Sequence, residues 1–207
     1  MNTPIRSRIE TALLGITPAV GQHTAIFPGS SIAQLCHLAQ LAERLPSESL
    51  IGEIGFNLGH SALAFLVGNS TARVISFDLG LAPHVERARL AIDAQFPGRL
   101  KVIKGDSRRT VRKYVEKFPY ARFDLVFIDG GHSREIVRDD LANMRAVASK
   151  NTVLIIDDLV WWTPWGFWPS WIWAAMKWRG EVKEVERRTD LSGMKKRAWA
   201  VGRYISS

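Results

Sequence analysis

A chain of 207 residues, 46% hydrophobic and 23% charged, can bury a core and dissolve its surface, which excludes a disordered or fibrous protein. Its single cysteine, Cys36, can form no internal disulfide and is expected to pack in the core. A reducing, cytoplasmic setting is expected, and with Arg6, Arg8 and Glu10 interrupting any apolar run no secretory leader is expected. The net charge of +8 comes mainly from nine basic residues between Arg99 and Arg122 and nine between Lys177 and Arg203; with no zinc-finger spacing or RNA-recognition signature beside them, a solvated helix face and a charged hairpin are expected rather than a nucleic-acid groove.

In the first 30 residues Gly15, Pro18, Gly21, Pro28 and Gly29 recur too often for a long element, which predicts a short helix and an irregular arm. Ser31 is placed to cap a helix reaching about Leu45, because Ile32, Leu35, Leu38, Ala39, Ala42 and Leu45 repeat at helical spacing and Pro46 stops it. Five short apolar runs follow: LIGEIG, VISFD, LKVIKGD, DLVFID and VLIID. Continuous apolar runs of this length suit strands buried on both faces. Their acids Glu53, Asp78, Asp106, Asp129 and Asp157 lie 25, 28, 23 and 28 residues apart, the length of a strand plus a crossover helix. The pattern predicts an α/β domain with a doubly wound, mostly parallel, Rossmann-like sheet. The tail from Glu181 to Ile205, with a turn signal at Asp190 to Gly193, is expected to close the sheet as an antiparallel hairpin. A single domain over 1–207 is expected: an N-terminal arm and helix (1–46), a core (47–160), then a Trp-rich segment and hairpin (161–207).

Ligands of open α/β sheets bind beyond the carboxyl ends of the strands, so carboxylates at five successive strand ends would face one crevice. Burying five acids is costly unless something binds them; the other reading is that each caps the next helix, as Asp106 before Ser107 could. The stretch Glu53-Ile-Gly-Phe-Asn-Leu-Gly-His-Ser61 runs from the first strand to a helix expected from about Ser61 to Val67. Gly55 permits a tight turn, and Gly59 lets the helix approach the strand closely. The spacing differs from a dinucleotide fingerprint, which would read GxGxxG.

With acid-x-Gly-x-x-x-Gly here, Asp78 at the second strand and Gly105-Asp106-Ser107 at the third, the chain resembles the class I S-adenosylmethionine-dependent methyltransferases. The resemblance covers roughly residues 50 to 160. It implies S-adenosylmethionine bound by Glu53, Gly55, Phe56, Asn57, Gly59, Ser61, Asp78, Asp106, Ser107 and Asp129, with Asp78 on the ribose hydroxyls and the third strand end on the adenine.

Methyl transfer to an alcohol needs the hydroxyl deprotonated, by a base or by a metal that lowers its pKa. The segment from Phe123 to Ser133 puts Asp129 at the end of the fourth strand and His132 in a Gly-rich turn; the fifth strand ends in Asp157-Asp158. Three such acids are candidate oxygen ligands for Mg²⁺. The IDGGHS stretch and paired acid resemble the small-molecule O-methyltransferases that tailor macrolides, sugars and antibiotics. That resemblance implies Asp129, Asp157 and Asp158 as metal ligands and His132, with Asp129, in catalysis; some relatives carry Glu where this chain has Asp157. The plainer reading is that Asp129 orders the turn, Asp157 or Asp158 caps the next element and His132 is a surface residue.

From Leu159 to Met176 the chain has six of its eight Trp and no charge. Pro164, Gly166 and Pro169 break it too early for a transmembrane helix. It is expected to be a lid on a small-molecule acceptor pocket, a surface for a second copy or a peripheral membrane contact, or in part core. The function expected is methyl transfer to a hydroxyl of a small molecule. The alternatives are a nucleic-acid methyltransferase, which the charge favours but no NPPY-like or cysteine motif supports, and a non-catalytic cofactor-binding scaffold.

Overall fold

The computed structural model describes residues 3–20, 30–190 and 196–205. They form the expected α/β architecture, with seven strands hydrogen-bonded in the order β3-β2-β1-β4-β5-β7-β6. By contacts the chain divides into two compact units, Met1–Ile51 with Phe56–Gly105, and Gly52–Gly55 with Asp106–Ser207.

The first unit holds α1 (Ile5–Val20), α2 (Ile32–Glu43), α3 (His60–Gly68), α4 (Pro83–Gln95) and the parallel strands β2 (Arg73–Asp78) and β3 (Leu100–Lys104). Strand β1 (Leu50–Ile54) begins here and ends in the second unit. The short helix and irregular arm predicted for the first 30 residues are not what forms: α1 runs 16 residues through Gly15 and Pro18. Tertiary burial overrides the breakers, because Ile9, Ala12 and Ile16 share one face and are buried as α1 packs on α3 and α4. Pro18 lies in the last turn, where it forgoes one i→i−4 bond close to the helix end, a cost that burial of the apolar face outweighs. At Gly15 a Cβ would sit 2.6 Å from Gln95 Nε2, so the glycine is a contact point for α4 rather than a stop. Arg87 Nε donates to the Ala19 carbonyl at 2.8 Å and satisfies the helix end. Gly21, Pro28 and Gly29 lie outside the described residues.

Helix α2 starts as predicted, with Ser31 Oγ accepting from Gln34 N at 3.2 Å, and stops two residues short of Leu45. A hub the sequence did not advertise is Asn69. Its buried side-chain amide donates to the carbonyls of Ala42, Leu45 and Pro46, and its Oδ1 accepts from Thr71 N and Ala72 N, tying the ends of α2 and α3 together. Cys36, in α2, is a half-buried free thiol.

The second unit holds α5 (Ser107–Lys117), β4 (Phe123–Ile128), α6 (Arg134–Ala146), β5 (Ala148–Ile156), α7 (Phe167–Trp178), β6 (Val182–Asp190) and β7 (Arg197–Tyr204). β4 and β5 run parallel, Leu125 facing Val153 and Ile128 facing Ile156, which leaves Asp129 and Asp157 at adjacent carboxyl ends. β7 is antiparallel to both β5 and β6, as expected for a closing hairpin; of the turn signal, residues 191–193 lie outside the described residues. The excess charge is largely solvated surface. On α5, Arg109, Arg112, Lys113 and Lys117 are exposed, and in the tail Lys177 and Arg187 pair with Glu184, and Arg188 with Glu186. Burial by itself would raise the Glu184 carboxyl, but donors from Arg187, Trp173 and Lys177 outweigh it and hold it below its usual range. Among the described residues no helix is long and apolar enough to cross a membrane.

Candidate active site

In the second unit β1 ends at Ile54, and the next residue turns sharply. Gly55 has φ +92°, and a Cβ on it would lie 1.9 Å from the carbonyl oxygen of Asp129. Two constraints meet there: a left-handed backbone and a main-chain neighbour that leaves no room for a side chain. Asp129 N donates to Ile54 O at 2.9 Å and Asp157 N to Ile128 O at 3.0 Å, so backbone bonds hold the ends of β1, β4 and β5 in step. Glu53 is fully buried within β1.

The first unit carries the rest of the glycine loop. Asp78, last residue of β2, accepts from Phe56 N at 2.9 Å and Asn57 N at 3.0 Å through Oδ2, and from Gly80 N at 2.7 Å through Oδ1. A carboxylate offers about four acceptor sites, so the loop itself occupies three of them. Asn57 has φ +47°, and its Oδ1 lies 2.8 Å from His84 Nε2. Gly59, φ +73°, is the N-cap of α3; its missing Cβ makes room for Ile92 of α4 and the Phe56 ring, rather than for the strand as the sequence suggested. Ser61 is buried in the first turn of α3.

Asp106 sits in the second unit as the N-cap of α5. Its side chain accepts from Arg108 N at 2.9 Å and pairs with the Arg108 guanidinium at 2.6 Å, which holds the Asp106 carboxyl below the usual carboxylate range. Capping, the plainer of the two expectations for this residue, is thus satisfied in the structure. Ser107 donates through Oγ to Asp140 Oδ1 at 2.6 Å.

Asp140, on α6, was not singled out by its sequence context, Arg138-Asp139-Asp140. It is fully buried, and its Oδ2 has no hydrogen-bond partner among the described residues. Burial pushes its pKa from 3.8 up to about 6, against the lowering effect of the Ser107 hydroxyl. The neutral acid is therefore the form the fold prefers. Its contribution to stability is full below pH 3.8, falls as the unfolded chain ionises first, and is gone above about pH 6, a change of about 3 kcal/mol. Asp140→Asn should remove that dependence: thermal unfolding at pH 4.5 and 7.5 should show wild type losing stability relative to the variant as pH rises. An unchanged difference between the two pH values would mean that Asp140 ionises freely in the fold.

The acids at β4 and β5 converge with a histidine. Ligand atoms of Asp129, His132 and Asp158 all lie within 4.8 Å of one another, and His132 Nε2 is 2.8 Å from Asp158 Oδ2. Asp158 is buried and adopts φ +57°, a left-handed conformation uncommon outside glycine, though Asp tolerates it better than most residues, and held here by surrounding bonds. Those bonds are Asp158 N to Asp157 Oδ1 at 2.7 Å and Leu159 N to Ala198 O at 2.7 Å. Asp157 lines the same recess but stands outside the three-residue cluster, one of its oxygens taken by the Asp158 amide. His132, expected as the base, joins Asp129 and Asp158 in that cluster. The Gly-rich turn ends in Ser133, which N-caps α6 by accepting from Ile136 N.

The Trp segment folds back on this cluster. At Gly166, N-cap of α7, a Cβ would lie 2.7 Å from Asp158 O and 2.3 Å from Val160 O, and Pro169 lines the recess beside Asp129 and His132. Trp173 is core, its Nε1 donating to Glu184 at 2.5 Å, while Trp161, Trp162, Trp165 and Trp171 are exposed.

Residues 53–159, half of the chain, match the model of a family described as "Methyltransferase domain". No curated protein sequence matches the chain. Solved structures do. An O-methyltransferase from Bacillus cereus in complex with SAH is 18% identical, covering 96% of this chain and 91% of that one with a TM-score of 0.75. The O-methyltransferase TomG from Streptomyces achromogenes, involved in tomaymycin synthesis and solved with SAM, is 16% identical over 93% of this chain and 90% of that one, TM-score 0.75. CalS11, a TDP-rhamnose 3′-O-methyltransferase of calicheamicin biosynthesis, is 19% identical over 97% and 95%, TM-score 0.60. At these identities the likeness establishes the fold.

Proposed function

The chain belongs to the methyltransferase-domain family, as a class I S-adenosylmethionine-dependent enzyme, and from that premise we propose that it transfers the methyl group of S-adenosylmethionine to a hydroxyl of a small molecule. The observation that carries this reading is the convergence of Asp129, His132 and Asp158 at the carboxyl ends of β4 and β5. That edge adjoins β1, where the strand order changes direction and open α/β sheets bind their ligands. The similar structures named above are O-methyltransferases, which favours oxygen as the acceptor.

Each residue has a part. Asp78, with three of its acceptor sites filled by its own loop, takes a ribose hydroxyl with the one that is left. Asp106 and Ser107 face the adenine, and Glu53, Gly55, Phe56, Asn57, Gly59, Ser61 and Asp129 form the remaining contacts. His132 is the base: Asp158 holds its Nε2, so that in the tautomer protonated there Nδ1 carries the lone pair that accepts the acceptor's proton. The freed oxygen forms its bond to the methyl carbon as the carbon–sulfur bond breaks and S-adenosylhomocysteine leaves. Two carboxylates and an imidazole also fit a divalent cation, with Asp129 and Asp158 as ligands and Asp157 adding an oxygen by rotation. When bound, such an ion lowers the pKa of the acceptor hydroxyl and screens its developing charge.

A thermal-shift series tests donor and metal separately. S-Adenosylmethionine or S-adenosylhomocysteine at about a hundred times Kd should stabilise the fold by about 2.7 kcal/mol, and Mg²⁺ or Mn²⁺ should add to this. No shift with either nucleoside would end the donor assignment. Methyl transfer should vanish after EDTA treatment and return with added cation, whereas full turnover by the metal-free enzyme removes the metal and leaves the Asp158–His132 pair as the whole device.

A further inference from the structure

Helix α7 is apolar on both sides. Ile172, Trp173 and Met176 are buried, while Phe167, Trp171, Ala174 and Trp178, spaced by four, three and four residues, are exposed on the opposite side. A helix apolar all round belongs inside a larger protein or against a second apolar medium. The turns before it extend the surface: Trp161 is 66% exposed, Trp171 51% and Trp178 88%, and no charged residue occurs between Asp158 and Lys177. Scattered exposed apolar side chains are ordinary, but an aromatic run on one segment marks an interaction surface.

The chemistry of the surface selects its occupant. It is built of Trp and Phe rather than Leu, Ile or Val, and indole rings, apolar with a polar N–H, favour the boundary between hydrocarbon and water. The 12-residue helix is about 18 Å long, too long for one small acceptor to cover. A chain of net charge +8 is drawn to an anionic surface and repelled by a copy of itself. Cations flank the aromatic face: Arg134, with no acidic partner among the described residues, lies 5.8 Å from the Trp168 ring centre, and at the C-terminal end stand Lys177 and Arg179, each paired with an acid, Glu184 and Glu181. Aromatic side chains fringed by Lys and Arg are the arrangement of a helix that lies on a membrane.

We propose that the exposed aromatic face of residues 161–178 docks on an anionic lipid surface. Asp158 precedes Trp161 by three residues, so docking brings the Asp129–His132–Asp158 cluster to the lipid boundary, where hydroxyl acceptors anchored in the bilayer reach it. That corollary rests on the proposed methyl transfer; the docking does not.

The full chain, without donor or metal, is mixed with vesicles of phosphatidylcholine alone or of phosphatidylcholine and phosphatidylglycerol in equal parts, then sedimented and its Trp emission recorded. It should sediment with the anionic vesicles with a blue-shifted emission. Trp171→Gln combined with Trp178→Gln should weaken binding at least about tenfold, because two exposed indoles leave the boundary, with circular dichroism and the S-adenosylmethionine thermal shift preserved. Absence of binding, binding without a spectral shift, or equal binding by the double variant overturns the proposal. A free protein that light scattering finds dimeric, and that the same substitutions split, overturns it in favour of a second copy. A missing thermal shift in wild type and variant alike speaks only against methyl transfer.

Discussion

Alanine at position 55 is expected to cost the fold more than about 3 kcal/mol and to abolish donor binding with it. The new Cβ would sit 1.9 Å from Asp129 O and 2.7 Å from Asp129 C, both main-chain atoms, so no rotamer change relieves the clash. Moving Asp129 away would break its amide bond to Ile54 O and displace the residue that heads the acidic cluster. Alanine also resists φ +92°. Gly98 supplies the control, since it has a similar left-handed φ of +70° with nothing within 4 Å of the position a Cβ would take. Gly98→Ala should cost about 1 kcal/mol, the backbone penalty alone. Urea midpoints of the two variants separate the contributions, and equal losses would show that the β1 turn does not approach β4 as closely as described.

His132→Ala should lower kcat by about 10²- to 10⁴-fold while leaving S-adenosylmethionine affinity unchanged, because a positioned general base contributes that much and the imidazole is not among the donor contacts proposed. The alternative duty, metal ligation, predicts a different rescue. A lost ligand weakens the cation, and excess Mg²⁺ or Mn²⁺ should then restore turnover; a lost base is not replaced that way. Asp158→Asn keeps the shape of the pair but removes the charge that steadies the protonated imidazole, and should reduce kcat less than it weakens metal binding. Unimpaired turnover in His132→Ala at saturating acceptor would remove the histidine from the chemistry altogether.

What could be seen before folding was whatever depends on short-range pattern. Strand and helix periods, the spacing of Glu53, Asp78, Asp106, Asp129 and Asp157, and the Ser31 cap are all local, and the structure bears out the strands and the cap. Punctuation read locally was less reliable. Gly15 and Pro18 marked a break, yet α1 continues through both because three apolar residues on one face find α3 and α4. Gly59 seemed placed for the strand and instead makes room for Ile92, 33 residues further on.

The sequence by itself determined the α/β class, the order of the elements and the residue types available at each strand end, since burial periodicity and turn chemistry act over a few neighbouring residues. Only the tertiary structure decided which side chains meet. It brought His132 into one cluster with Asp129 and Asp158, sealed Asp140 under Ser107, and split the tryptophans into a buried Trp173 and an exposed row on α7. Those outcomes depend on how the turn after β4 and the left-handed Asp158 aim their side chains, and on which face of α7 the sheet covers. They are set by packing between segments distant in the chain, which no local pattern encodes.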